Sequence, residues 1–410
     1  MKTLVLDCES TIFQKGNPFS RRNKLCYVGF DVDGQYRDWD IEYSSDPYGE
    51  ALQEIQGLLT EADLLVGFNL KFDLHWLRRY LTNESGLFSR CTVWDCQLAE
   101  FILSSQRRPY PSLDESCASR GLDHKLDTVR VDYWENGIDT DGVPRHTLRE
   151  YLAGDVRSTK QLYEAQRKQF EAGDPRLFTL FKAQCQDLLI LAEMEWNGMK
   201  YDSQRSLELA GETVTRLDAI DKELSALSGI DGINWNSDDH LSAVLYGGKL
   251  PMRDRVPTER VLKDGTIKHG EKWGYVTVEY PRLVTPLDGT ETLPTKEWSD
   301  DVLNQRNEGR PKPFFRVYSV GESVLKSLRC KGLPRQLIAL ILERNKLAKR
   351  ESTYYRGLPA VIEEMDWQPD TIHGQLNQCV AITGRLSASR PNQQNFDGEI
   401  KFLFRSRYDD

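Results

Sequence analysis

The sequence changes character at Glu171-Ala172-Gly173-Asp174-Pro175, where glycine and proline interrupt a helical pattern. Before this break, short apolar runs typical of strands alternate with segments of helical spacing, from a strand at Thr3–Asp7 to a helix at Thr147–Gln169. After it, long helical segments predominate. The alternation predicts an α/β domain over residues 1–172, and the later pattern predicts a helical region over residues 176–357.

Two further segments stand out in the C-terminal half. Residues 247–317 interrupt the helices, are rich in Gly, Pro, Lys and Thr, and contain alternating stretches such as Trp273–Val278. This composition predicts an inserted β-ribbon. Residues 358–410 follow the last long helix and form a third predicted segment.

Composition excludes two classes of protein. Hydrophobic residues make up 39% of the 410 residues and charged residues 29%, which is too apolar for a disordered chain. No apolar run approaches the roughly 18 residues that span a bilayer, so an integral membrane protein is excluded. The eight cysteines form no CxxC pair, which predicts reduced thiols and a cytoplasmic location.

Charge is distributed unevenly along the chain. The net charge is −9, yet residues 321–410 contain 14 Lys and Arg against 11 Asp and Glu, a net of +3. The first 320 residues therefore carry −12. A basic C-terminal part on an acidic body is typical of a protein that holds a polyanion at one end and concentrates carboxylates at the other.

The first acidic motif is Asp7-Cys8-Glu9, at the end of the first predicted strand. Because strand side chains alternate, Asp7 and Glu9 share one face and Cys8 points to the other. Acidic pairs at strand ends are common, so this pair alone does not indicate a site.

Two helical motifs add further polar side chains. In Asn69-Leu70-Lys71-Phe72-Asp73, residues Asn69, Phe72 and Asp73 share a helix face, and Tyr151 and Asp155 lie one turn apart on the long helix. Taken singly, these residues are equally compatible with a helix cap, an exposed acid and a core tyrosine.

Together the motifs predict a metal site. Four carboxylates gathered in one domain repel one another, at a cost of roughly 4 kcal/mol for a pair about 4 Å apart at an effective dielectric of about 20. Hard divalent cations relieve this repulsion, and a pair of them suits phosphoryl transfer. The cofactor prediction is two Mg²⁺ or Mn²⁺ ions, held by the following residues: Asp7, Glu9, Asp73 and Asp155.

The three motifs resemble those of the DEDD superfamily of 3′→5′ proofreading exonucleases, in its Tyr subtype. The resemblance implies an RNase H-like domain with a mixed β-sheet, metal ligation by the four carboxylates, and catalytic roles for Tyr151 and Glu9. It also implies that Asn69 and Phe72 contact the DNA strand. The His subtype would carry histidine at Glu150, so the Tyr subtype is favoured.

Other titratable residues in this region are interpreted as structural. Asp95 follows a predicted strand, and a helix N-cap is favoured over a fifth metal ligand. His75, His124 and His146 have no metal-ligand spacing.

The predicted helix at Pro334–Tyr355 carries a cluster of cations toward its end. Two interpretations remain open: a solvated face with favourable charge near the helix C-terminus, and a row of side chains that contacts DNA phosphates. The cations concerned are Arg344, Lys346, Lys349 and Arg350.

The segment Thr383–Asn395 resembles the Thr-Gly-Arg-Leu-Ser-Ser … Pro-Asn-Leu-Gln-Asn signature of family A, or Pol I-type, DNA polymerases. Ala388 and Gln393 depart from it, at positions where the family has Ser and Leu. The resemblance implies a thumb-like helical region, a first segment of the polymerase palm, and DNA replication as the process. It also implies contacts with primer–template DNA by the following residues: Arg385, Asn392, Gln394 and Asn395.

The family's palm motif Asp-Tyr-Ser-x-x-Glu-x-Arg, its fingers helix and its His-Asp-Glu turn are not found in the sequence. We therefore expect the N-terminal part of a phage-type polymerase, which does not polymerise alone and which a second polypeptide would complete. At residues 247–317, a processivity partner or DNA contact and a ribbon that only elongates the thumb are alternatives.

The sequence thus predicts a metal-dependent 3′→5′ DNA exonuclease joined to part of a polymerase. Two alternatives remain: a freestanding exonuclease acting on RNA, and a non-catalytic DNA-binding or assembly subunit. The predicted substrates are single-stranded DNA 3′ ends and primer–template DNA, without a membrane partner.

Overall fold

The computed structural model describes residues 2–41, 49–82, 91–123, 127–230, 232–261, 266–292 and 317–405. They divide into two compact units, a first unit of Met1–Arg205 with Gly357–Asp410 and a second unit of Ser206–Arg356. Within these ranges, no helix combines the length and the apolar character needed to cross a membrane.

A five-stranded mixed sheet forms the centre of the first unit, in the order β3-β2-β1-β4-β5. Strands β1, β2 and β3 pair antiparallel, whereas β4 and β5 run parallel to β1. The mixed sheet predicted from the sequence is therefore present. The strands are β1 (Thr3–Ser10), β2 (Leu25–Val32), β3 (Gln35–Asp40), β4 (Leu64–Gly67) and β5 (Val93–Asp95).

The hairpin between β2 and β3 follows directly from local sequence. Val32 pairs with Gln35, so the loop has only the two residues Asp33 and Gly34, with φ of 49° and 98°. Two positive φ angles define the type I′ turn that Asp-Gly favours, because its twist matches that of the strands. The predicted turn is confirmed.

Helices cover the central sheet, and the longest of them packs against β1 and β2. Their apolar side chains face a core that contains most of the buried residues of this unit. The helices of the first unit are α1 (Glu50–Glu61), α2 (Leu70–Tyr80), α3 (Cys96–Leu103), α4 (Leu113–Ala118), α5 (Thr128–Asp132), α6 (Arg145–Ala172) and α7 (Pro175–Asn197).

The break at residues 171–175 separates α6 from α7 but is not a boundary between compact units. Asp174 caps α7 by accepting a hydrogen bond from the backbone N–H of Arg176 at 2.9 Å. Phe181 of α7 stacks on Phe170 of α6 and lies edge-to-face against Trp94 of β5. Because α7 completes this aromatic core, the predicted start of a separate helical region at residue 176 is corrected to the boundary at 205/206.

The predicted third segment also joins the first unit. Strand β6 (Met199–Tyr201) pairs antiparallel with both β11 (Thr371–Ile372) and β14 (Phe404–Arg405). Nearby, β12 (Gln375–Asn377) pairs with β13 (Ser387–Ser389), and the helix α12 (Gly357–Glu364) precedes these strands. Three predicted segments therefore become two units.

The second unit is mainly helical, as predicted. Leu224, Leu241 and Ile341 belong to its apolar core. The predicted helix at Pro334–Tyr355 is α-helical only to Lys349 and continues as a π-helical turn over Arg350–Tyr355. The helices are α8 (Ser203–Ser228), which starts before residue 206, α9 (Asp238–Tyr246), α10 (Glu322–Ser327) and α11 (Leu333–Lys349).

The insertion contains the predicted β-ribbon. Strands β7 (Gly248–Val261) and β8 (Ile267–Tyr280) pair antiparallel along their whole length. A short pair, β9 (Glu291–Thr292) with β10 (Val317–Tyr318), follows. The remaining parts of the predicted insertion, residues 262–265 and 293–316, lie outside the described residues.

Candidate active site

Strand β1 carries the first two carboxylates of the site. Asp7 is partly buried and Glu9 is 6% exposed. Alternation along the strand places Asp7 and Glu9 on one face and Cys8, also buried, on the other, as the sequence predicts.

The third carboxylate comes from α6. Asp155 is 3% exposed, and Tyr151 lies one helical turn before it with 2% exposure. The Tyr151 ring packs edge-to-face against Trp134, with 5.9 Å between ring centroids. Both side chains are buried because α6 packs on β1 and β2.

Asp7, Glu9 and Asp155 form a compact carboxylate cluster. Each contributes an oxygen atom, and these atoms lie within 4.8 Å of one another. In the described residues, this is the group of acidic, His or Cys side chains with a geometry that could hold a metal ion. Three of the four predicted ligands are therefore brought together from segments almost 150 residues apart in the chain.

The fourth predicted ligand, Asp73, lies beside this cluster but outside its 4.8 Å limit. Its Oδ1 accepts a hydrogen bond from the backbone N–H of Cys8 at 3.1 Å, which places α2 against β1 between Asp7 and Glu9. Burial raises the pKa of Asp73 well above its usual range, and the charges of Asp7 and Asp95 raise it further.

Asp95 caps two helices. Its Oδ1 accepts the backbone N–H of Leu98 in α3 at 2.9 Å, and its Oδ2 accepts that of Leu70 in α2 at 2.8 Å. Burial raises the pKa of Asp95, and the backbone N–H donors oppose this rise. The N-cap interpretation is confirmed for α3, whereas the second cap, on the helix that carries Asp73, was not foreseen.

Asn69 and Phe72 lie at the start of α2. Asn69 is exposed and has a left-handed backbone conformation with φ of 59°. Phe72 is half-buried and packs edge-to-face on Trp76. Both side chains line a cavity of about 490 Å³ in the first unit.

A buried polar network joins α2 to α7, and sequence reasoning missed it. Glu195 of α7 accepts hydrogen bonds from Lys71 at 2.6 Å and from the backbone N–H of Leu376 at 2.5 Å. His75 Nε2 lies 2.9 Å from the second oxygen of Glu195. The 71/75 spacing could have indicated a shared helix face, but no local signal connects it to a residue 120 positions away.

The basic helix α11 requires a correction. Arg344 is 5% exposed, and its guanidinium bonds to Asp221, to the carbonyl of Trp235 and to Asn236. Arg350, in the π-helical turn, is 8% exposed. The predicted phosphate contact by these two arginines is not supported, because the helix directs them inward.

The two lysines of the same cluster, Lys346 and Lys349, are exposed. The expected row of four phosphate contacts therefore reduces to these two positions.

The polymerase-like signature lies on the surface of the first unit, with the side chains of Arg385, Asn392, Gln394 and Asn395 exposed. Asn392 Oδ1 caps a short helical turn by accepting the backbone N–H of Gln394 at 3.2 Å. The Gln394 side chain donates to the carbonyl of Leu386 at 3.2 Å. Part of the polar character of this segment thus maintains its own conformation.

The two departures from the signature have a structural basis. Ala388 is buried against Leu191 and Leu376, where an apolar residue needs no hydrogen-bond partner. The Gln393 side chain packs on Gly374, where an added Cβ would lie only 3.2 Å from it.

Comparisons with known proteins agree with the signature. Residues 300–407 match the family model of DNA polymerase family A. The chain is 24% identical to DNA polymerase I of Geobacillus stearothermophilus over 76% of this chain and 28% of that protein. It is also 24% identical to the DNA polymerase of Bacillus phage SP01 over 88% of this chain and 38% of that protein.

A solved structure shares the fold. The POL domain of Pol1 from M. smegmatis, in complex with DNA primer–template and dNTP, superimposes with a TM-score of 0.58 at 15% identity, over 96% of this chain and 52% of that chain. The chain spans 28–38% of the length of the two curated relatives. These matches confirm the resemblance to family A DNA polymerases that Thr383–Asn395 predicts.

Proposed function

We propose that the first unit is a metal-dependent 3′→5′ exonuclease that acts on DNA, within a replication protein of the family A polymerase type. The observation that carries this proposal is the cluster of Asp7, Glu9 and Asp155 oxygens within 4.8 Å of one another. The sheet order β3-β2-β1-β4-β5 with an antiparallel β2 supports an RNase H-like assignment.

The donor set fits hard divalent cations. Carboxylate oxygens are preferred ligands of Mg²⁺ and Mn²⁺, and three of them in a partly buried cluster repel one another unless positive charge lies between them. Asp7, Glu9 and Asp155 would hold the two ions, with Asp73 as a further ligand beside them. Bound ions would promote ionisation of the attacking water and neutralise negative charge on the phosphate.

The remaining residues bind and orient. Tyr151 lies one turn before Asp155, and its hydroxyl would position the attacking water. The exposed carboxamide of Asn69 and the ring of Phe72 would hold the 3′-terminal nucleotide. These roles require only that the single strand enters beside the N-terminus of α2.

The other DNA contacts belong to the same proposal. Arg385, Asn392, Gln394 and Asn395 present exposed donors and acceptors that suit primer–template DNA, and Lys346 and Lys349 suit phosphates. Polymerisation would require palm and fingers motifs from a second polypeptide. The ribbon of β7 and β8 stays a candidate for a DNA or processivity-partner contact.

The test uses purified protein and a 5′-labelled single-stranded DNA. We expect stepwise release of mononucleotides from the 3′ end with Mg²⁺ or Mn²⁺. Asp7→Ala or Asp155→Ala should abolish the reaction, whereas Asp187→Ala, at an exposed position of α7, should not. Hydrolysis in excess chelator, or by the Asp7→Ala/Asp155→Ala protein, would contradict the metal mechanism.

Two further arms separate the alternatives. A labelled RNA of the same sequence, degraded faster than DNA, would favour an RNA exonuclease. DNA binding without hydrolysis under any metal condition would favour a non-catalytic subunit. Tyr151→Phe should lower kcat and preserve the metal requirement, since only the orienting hydroxyl is lost.

A further inference from the structure

The cavity of about 490 Å³ has walls from two distant parts of the first unit. One wall comes from α2 and the loop after β1, and includes Asn69 and Phe72. The opposite wall comes from the segment around β12 and β13, and includes Asn377 and Arg390. The cavity therefore begins one residue before Asp73 and ends within the polymerase-like signature.

Its lining combines three kinds of side chain. Phe72 and Tyr110 supply aromatic rings, Asn69, Gln97 and Asn377 supply carboxamides, and Lys15 with Arg390 supplies positive charge. Aromatic faces stack on nucleobases, carboxamides complement the hydrogen-bonding edges of bases, and cations attract phosphates. A simple apolar ligand would leave this polar lining unused.

The carboxamides are held in place by the protein. Gln97 Nε2 donates to the carbonyl of Pro111 at 3.0 Å, and Asn377 Nδ2 donates to the hydroxyl of Ser389 at 3.1 Å. Each bond uses the amide donor and fixes the plane of the side chain. Such preorganisation lowers the entropy lost when a ligand is bound.

Two buried carboxylates also line the cavity, and their charges are compensated. Glu195 pairs with Lys71 at 2.6 Å. Asp95 accepts backbone N–H groups from Leu70 and Leu98. The cations Lys15 and Arg390 are exposed, so they are placed to meet phosphates at the surface while the interior receives the base.

We propose that this cavity binds a nucleobase of the single strand that is hydrolysed at the carboxylate cluster, a subsite that rests on the proposed exonuclease function. It adds Tyr110, Gln97 and Asn377 to the binding surface. The base inserts between the α2 wall and the β12–β13 wall, and its backbone passes Lys15 and Arg390.

The experiment measures binding, so it does not depend on hydrolysis. A short 5′-labelled single-stranded DNA is compared with the same strand carrying abasic sugars at its 3′-terminal positions, by fluorescence anisotropy without divalent metal. We expect the wild type to prefer the strand with bases. Tyr110→Ala and Asn377→Ala should reduce that preference by about fivefold or more, the lower range of base–aromatic stacking.

Phe402→Ala is the matched control, because Phe402 is an aromatic residue with 60% exposure that does not line the cavity. It should leave the preference unchanged. Lys15→Gln should weaken binding of both strands equally and reduce the salt dependence. Tyr110 is 54% exposed, so its replacement should not impair folding, and thermal melting checks this.

The outcomes are separable. An unchanged base preference in both Tyr110→Ala and Asn377→Ala, with wild-type hydrolysis intact, would overturn the cavity proposal alone. Base-dependent binding that both variants lose, without hydrolysis by the wild type, would support the cavity and overturn the exonuclease function. A wild type that binds both strands equally would overturn the cavity proposal.

Discussion

Asp7 of β1 lies directly across the antiparallel ladder from Gly29 of β2. A Cβ added to Gly29 would lie 2.9 Å from Cγ of Leu152 and 3.1 Å from the hydroxyl of Tyr36. Leu152 belongs to α6, three residues before Asp155. Gly29 therefore permits the close approach of α6 to the sheet that brings Asp155 to the strand carboxylates.

We expect Gly29→Ala to reduce exonuclease activity, because α6 must move away from β1 and separate Asp155 from Asp7. Overpacking of this kind costs about 1–3 kcal/mol. Gly57→Ala in α1 is the control, since an added Cβ there meets no atom within 4 Å and alanine favours the helix. Full activity of Gly29→Ala would mean that this approach does not set the site geometry.

Metal binding should stabilise the protein. Mg²⁺ or Mn²⁺ at about 100 times its Kd adds about 2.7 kcal/mol by mass action, which raises the thermal midpoint by several degrees. Asp73→Asn should reduce the shift. Differential scanning fluorimetry over a metal titration measures both effects, and an identical shift in Asp7→Ala would argue against binding at the cluster.

Asp95→Asn should lower both stability and activity. An asparagine has one acceptor oxygen and must place its NH₂ group toward the backbone N–H of Leu70 or Leu98. Loss of one cap costs about 1 kcal/mol, and a frayed α2 would misplace Asp73. Ser112→Ala removes a single cap from α4 and should lower stability by a similar amount with kcat unchanged. Equal kcat losses in both variants would assign the effect to stability alone.

Glu195→Gln should show a pH-dependent effect on stability. Burial by itself would raise the pKa of Glu195, but the hydrogen bond from His75 and the charge of Lys71 hold it below its ordinary value of 4.5. The folded state thus favours the charged carboxylate. Its stabilising contribution is fully present above about pH 4.5 and is lost as the pH falls below the folded-state pKa.

The difference in unfolding free energy between wild type and Glu195→Gln is therefore expected to be larger at pH 7 than at pH 3, by denaturant titration at both pH values. Breaking a buried ion pair by removing one charge costs roughly 3–5 kcal/mol, which sets the upper scale at pH 7. A difference that grows on acidification would contradict the direction of the pKa shift.

Arg344→Met should destabilise the second unit. The substitution leaves Asp221 without its ion pair and the buried carbonyl of Trp235 without a donor, at a cost of about 3 kcal/mol. Lys346→Ala, at an exposed position of the same helix, should change stability by less than about 0.5 kcal/mol. If Arg344→Met were as stable as Lys346→Ala but weaker in DNA binding, Arg344 would be a phosphate contact after all.

The candidate site was predictable where its geometry is local. The alternation of a strand aligns Asp7 with Glu9, and one helical turn aligns Tyr151 with Asp155, whatever surrounds them. The Asp33-Gly34 turn and the Asp95 cap on α3 likewise depend on neighbouring backbone atoms. Such features follow from periods of two and 3.6 residues and from turn chemistry, which are properties of short segments.

The tertiary structure decided which side chains meet across long separations. Arg344 and Lys346 lie on one helix and look equivalent in sequence, but packing buries the first against Asp221 and leaves the second exposed. Glu195 acquires its role only when α7 packs beside α2, which also moves the unit boundary away from the break at residue 173. A pattern of residues reports the face on which a side chain lies, but its partner is chosen by the packing of distant elements.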